Sequence, residues 1–215
     1  MFGLTNVSDF DGITFQQFCI NAIHHELMHA YDYLCANGIY ETILSFNDDP
    51  LKNALTPISI MIWKEYFADR MASKTYNADY FKVLYEKICY SQDRIRAIIE
   101  VNKQCGSIEK MYNDVRSEII ISLRFTAYRL GKLYNLQSDI EISKMVEIEN
   151  QKLENSFLYN TYMELFYELS SLFKNYLKWD ISDFDNINLL IKRVYNFFGI
   201  SLNSIEEGKL LIDVL

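Results

Sequence analysis

What most constrains this chain is what it lacks. Its 215 residues include only 7 glycines and 2 prolines, and Pro50 and Pro57 sit close together. Glycine and proline are the strongest punctuators of local structure, so a chain this poor in them is built from long helices with few connections. Apolar residues recurring at helical spacing place those helices. The first is expected from Thr14 to about Asn37, stopped by the Ala-Asn-Gly of 36–38, where glycine tolerates a left-handed cap. The second is expected from Pro57, a residue suited to a helix's first turn. Further helices are expected near 79–103, 107–136, 139–178 and 184–198, with breaks at Gly106, Asn135–Asp139 and Trp179–Asp183. The tail from Gly208 fits a helical turn or a short strand equally well. The expected fold class is mainly α, with little or no β-sheet.

Half of the residues are hydrophobic and 15% are aromatic, enough to bury a core, so disorder of the whole chain is excluded. The aromatic stripe from Phe157 to Trp179 is read as helix–helix packing. A net charge of −8 argues against nucleic acid or an anionic membrane surface as the main partner. No apolar run approaches the ~18 residues of a membrane span, and no basic-then-apolar leader opens the chain. Cys19, Cys35, Cys89 and Cys105 are widely spaced and form no C-x-x-C pair, which fits reduced core thiols. These features together suggest a soluble, cytoplasmic protein.

All three histidines, His24, His25 and His29, fall within Asn21–Tyr33, and His25, Glu26 and His29 spell H-E-x-x-H. On a helix, positions i and i+4 share a face, so His25 and His29 can present two imidazoles to one ion. Glu26, about 100° further round, can reach water held by that ion without binding the ion itself. Zinc lowers the pKa of such water to about 7, and a neighbouring carboxylate can take its proton as the oxygen attacks a carbonyl. A catalytic zinc site usually needs a third protein ligand. The downstream extension H-x-x-G-x-x-H is ruled out, because Asp32 and Cys35 stand at its glycine and histidine positions. His24 diverges from its neighbour on the helix and is set aside. A carboxylate from the second helix remains: Glu65 and Asp69, one turn apart in E-x-x-A-D. Glu65 would complete a His2Glu set, and Asp69 could accept the outer N–H of a ligand histidine, fixing its tautomer. Ala68 is small enough to let two helices approach.

The pair "HHELMHAYDY" and "KEYFADRMAS" resembles the gluzincin metallopeptidases, and within them the ImmA/IrrE-like intracellular peptidases, over about residues 14–76. The resemblance implies a zincin-like two-helix metal-site region, 1–78; residues 79–215 have no counterpart in it and are expected to form a helical bundle of unknown role packed on the first region as one unit. The resemblance implies zinc ligands His25, His29 and Glu65, with Glu26 as general base and Asp69 supporting a histidine. It also implies hydrolysis of a peptide or protein substrate, a regulator protein among the possibilities. Two features depart from that group. Its members carry a β-sheet before the motif helix, whereas about a dozen residues precede it here, and no histidine is left to stabilise an oxyanion. Tyrosines are plentiful, but nothing singles one out. The alternative expectation is an inactive zincin-like scaffold that keeps its zinc.

Overall fold

The computed structural model describes residues 15–45, 48–72, 79–105, 107–136, 157–205 and 208–214. Among the described residues six helices run in order: α1 Phe15–Ser45, α2 Pro50–Ala72, α3 Asp79–Cys105, α4 Ile108–Leu136, α5 Phe157–Lys174 and α6 Asp185–Phe197. A 3-10 turn, Ile181–Phe184, precedes α6, and a hairpin of β1 (Ile200–Ile205) and β2 (Lys209–Val214) closes the chain. The fold is mainly helical, as the scarcity of breakers implies. The expected break at Gly106, the first dozen residues and the segment 139–156 lie outside the described residues.

Two helix boundaries differ from expectation. The first helix does not stop at Gly38 but runs on to Ser45. A helical glycine costs about 1 kcal/mol relative to alanine. That is outweighed by the next two turns, which bury Tyr40 and Ile43 to 2% exposure each. Tyr40 also donates to the buried Asp32 carboxylate (2.7 Å) and accepts from Trp63 Nε1 (2.8 Å). Tyr176 donates to the other Asp32 oxygen at 3.0 Å. The second helix starts at Pro50, with Pro57 inside it at an exposed position. Asp49 caps it, accepting from Leu51 N–H at 2.9 Å, so Asp49–Pro50 is the N-cap and first helical residue.

The core runs through the centre of α2. Trp63 is fully buried and packs on Phe67, Phe173, Tyr176 and Trp179. One face of the aromatic stripe is core, with Leu158, Tyr162, Leu165, Leu169, Leu172 and Trp179 buried, whereas Tyr167 faces solvent. The cysteines are less buried than expected, since Cys19 and Cys89 are half-buried and Cys35 is exposed. None of the three is in a disulfide.

Asp180 ends the irregular stretch after α5 with a reciprocal cap shared with Asp183. Ser59 donates to Asn188 at 2.7 Å, and Asn188 donates to Thr56 at 3.1 Å, which ties α6 to α2. The tail is a strand, paired antiparallel with Ile200 opposite Val214 and Ile205 opposite Lys209. No helix among the described residues is long and apolar enough to cross a membrane.

Candidate metal centre

Helices α1 and α2 pair in opposite directions. Asn21 donates to the Ala72 carbonyl (3.3 Å), His25 Nδ1 meets Asp69 Oδ1 (3.4 Å), and His29 Nε2 meets Glu65 Oε2 (3.1 Å). Rising numbers on one helix meet falling numbers on the other, so the i, i+4 pair of each is laid against that of its partner. Three ligand-type atoms converge there. His25 Nε2 and His29 Nε2 are 2.9 Å apart, and Glu65 Oε2 lies 3.1 Å from the second and 3.4 Å from the first. Tetrahedral ligands of an ion bound at about 2.0–2.1 Å stand roughly 3.3 Å from one another. The triangle therefore needs only a few tenths of an ångström of adjustment to hold an ion. His25, His29 and Glu65 can hold a metal ion, and the His29 side chain, 27% exposed, keeps the triangle within reach of solvent.

Helix α4 forms the other wall and runs parallel to α2. Arg124 Nη2 donates to Glu65 Oε1 at 2.6 Å and to the Tyr128 hydroxyl at 3.1 Å. The Tyr128 ring stands edge-on to His25, with centroids 5.6 Å apart. One turn further on, the fully buried Lys132 donates to Asp69 Oδ1, the oxygen that also faces His25. Gly131 permits this closeness. A Cβ there would stand 2.6 Å from the Tyr66 carbonyl oxygen and 2.9 Å from the Arg70 nitrogen, both backbone atoms.

The charges explain the protonation states. Burial alone would lower the pKa of His25, but the Asp69 and Glu65 carboxylates overcome it and push the value up to about 9. Burial alone would raise the Glu65 carboxyl, yet His25, His29 and Arg124 hold it well below the carboxylate range. Burial pushes the Lys132 ammonium down against the pull of Asp69. Tyr128 is pushed up by burial and by the charge of Glu65.

Glu26 is exposed, a neighbour of His25 on α1, and no described residue donates a hydrogen bond to it. His24 is half-buried and outside the cluster. Arg124, Tyr128, Lys132 and Gly131 were not singled out by sequence reasoning. Their only local signal is spacing: Arg124, Tyr128 and Lys132 recur at i, i+4 and i+8 on one line of a helix that carries other polar residues as well. No protein-family model matches the chain, and comparisons with curated proteins and with solved structures find no match either.

Proposed function

We propose that the protein is a zinc-dependent metallopeptidase. The observation that carries this reading is the convergence of His25 Nε2, His29 Nε2 and Glu65 Oε2, with the unengaged carboxylate of Glu26 one residue from the first ligand. Bound Zn2+ would supply Lewis acidity, lowering the pKa of a water to about 7 and polarising the scissile carbonyl. The chain's own residues do the rest. Asp69 faces the outer nitrogen of His25 and fixes the ring's tautomer, so that Nε2 is the ligating atom. Lys132 holds Asp69 in place. Glu26 takes the proton of the attacking water as the new C–O bond forms and the carbonyl π pair moves onto its oxygen. When the C–N bond breaks, Glu26 gives that proton to the leaving amine. Zinc is chosen because a site of two imidazoles and one carboxylate with an open position suits it.

One observation favours a second reading, a zinc-holding helical scaffold without activity. Extended peptides dock on sheet edges, and the described hairpin lies at the start of α2, where Ser204 meets Leu51 N–H at 3.2 Å. Leu51 to Glu65 is about 21 Å at the helical rise per residue. No described strand therefore borders the triangle.

Metal analysis of protein purified without chelator, followed by hydrolysis of a broad peptide panel, separates the two. One zinc per chain and a Glu26→Gln rate loss of roughly 10²- to 10⁴-fold support the peptidase. Zinc without hydrolysis in either protein supports the scaffold. Absence of zinc, with none taken up on addition, removes both.

A further inference from the structure

The proposed site has a base and a ligand set, and hydrolysis also calls for a donor that steadies the negative charge developing on a carbonyl oxygen. Helix α4 supplies that group. The Arg124 side chain is 45% exposed although its tip is anchored at the metal triangle. Both hydrogens of Nη2 are engaged, one with Glu65 Oε1 and one with the Tyr128 hydroxyl. Among the described residues, Nη1 and Nε of Arg124 meet no acceptor. The guanidinium is planar, so fixing Nη2 by two bonds fixes the direction of the three remaining N–H groups. The Tyr128 oxygen receives the arginine's hydrogen bond, which leaves its own proton to donate, and its ring is set against His25. Anchored donors, partly desolvated and one carboxylate width from the ligand atom Glu65 Oε2, are what stabilising a developing oxyanion requires.

We infer that Arg124 and Tyr128, one turn apart on α4, form the anion-binding half of this site and hold the substrate's carbonyl oxygen as it becomes negative. The inference rests on the peptidase reading above. In the step described there, the electron pair displaced from the C=O bond comes to rest on an oxygen that accepts from Arg124 and Tyr128. It returns to re-form the C=O bond as the C–N bond breaks. A competing role for Arg124 is that it does no more than orient Glu65.

Binding of phenylphosphonate, a tetrahedral dianion, to zinc-loaded protein tests the inference without needing turnover. Calorimetry on the wild type, Arg124→Gln, Arg124→Lys and Tyr128→Phe, each at saturating zinc, should show affinity falling roughly 10- to 100-fold in Arg124→Gln. Arg124→Lys should restore part of the loss, because it keeps the charge but not the fork, and Tyr128→Phe should cost a smaller factor. On any peptide the wild type cleaves, kcat should fall in these variants with KM little changed. If zinc-loaded variants bind phenylphosphonate as tightly as the wild type, with only their zinc affinity reduced, Arg124 merely orients Glu65 and the inference is overturned. A wild type that holds zinc but does not bind the anion overturns it equally. A wild type that binds the anion through Arg124 yet cleaves nothing retains the anion site and sinks the peptidase reading. Arg124→Lys and Tyr128→Phe keep the test alive should Arg124→Gln fail to fold.

Discussion

Proton and metal compete for the same nitrogen of His25, and this makes the pH dependence of stability a sharp test of the site. In the metal-free protein the His25 pKa is pushed up to about 9, from an ordinary value of 6.5, and the ring's side chain is only 14% exposed. A histidine whose pKa is raised by folding contributes stability that is complete below the unfolded value and lost as pH rises through the folded one. The window is therefore pH 6.5 to about 9. At about 1.4 kcal/mol per decade, the gap corresponds to about 3 kcal/mol. Glu65 does not blur the window, because a depressed carboxylate loses its contribution only as pH falls below its unfolded value. Lys132, pushed the other way, acts with the opposite sign at the alkaline end, so a difference measurement is needed. The assay is urea unfolding of chelator-treated wild type and His25→Gln at pH 6 and pH 10. The stability advantage of the wild type should shrink by about 3 kcal/mol across that range. With saturating zinc the sign reverses, since at pH 7 a ring of pKa about 9 is almost wholly protonated and costs zinc about 100-fold in affinity. A wild-type advantage that stays flat with pH, or a His25 ring resonance titrating near 6.5 in the metal-free protein, would refute the geometry argued for Asp69 and Glu65.

Further outcomes follow from the wall that α4 provides. Gly131→Ala places a methyl against the backbone of Tyr66 and Arg70. An overpacking cost of about 1–3 kcal/mol exceeds the ~1 kcal/mol gained in helix propensity, so the urea midpoint should fall at constant slope; a more stable variant contradicts the close approach. Lys132→Met leaves the Asp69 carboxylate, 3% exposed, without its cation and should cost about 3–5 kcal/mol at neutral pH. That loss should largely vanish when Asp69→Asn is already present, and an undiminished loss in the double variant would show that packing, not charge, is responsible.

How much of this was legible from sequence depends on the range of the interaction that decides each feature. The i, i+4 geometry that aligns His25 with His29, and Glu65 with Asp69, is local, so the residues that meet across α1 and α2 could be named from spacing. The start of α2 was also local: Asp49–Pro50 is an N-cap followed by a first-turn proline, and Pro57 was the less informative of the two prolines. The end of α1 was not local. Gly38 reads as a stop, and only the burial of Tyr40 and Ile43 against α2, with Asp32 and Trp63 as hydrogen-bond partners, carries the helix past it. Arg124 and Lys132 are harder still, because two cations on a long helix look solvated until their partners, 59 and 63 residues earlier, are placed beside them.

Those two cations change how the site must be understood. Glu65 is matched by Arg124 and Asp69 by Lys132, so each buried carboxylate has its own positive partner before any ion arrives. Two neutral imidazoles and two such pairs carry no net charge. A dication bound at the triangle would therefore bring an excess of two positive charges into a half-buried pocket, where charge is poorly screened. The Glu26 carboxylate beside His25 offsets part of that excess, and an anion as fourth ligand would offset the rest. A hydroxide, or a carbonyl oxygen becoming negative between His25, Arg124 and Tyr128, provides it, whereas neutral water provides none. By this argument the two cations of α4 would favour an anionic fourth ligand on a bound dication, which is what the proposed hydrolysis requires.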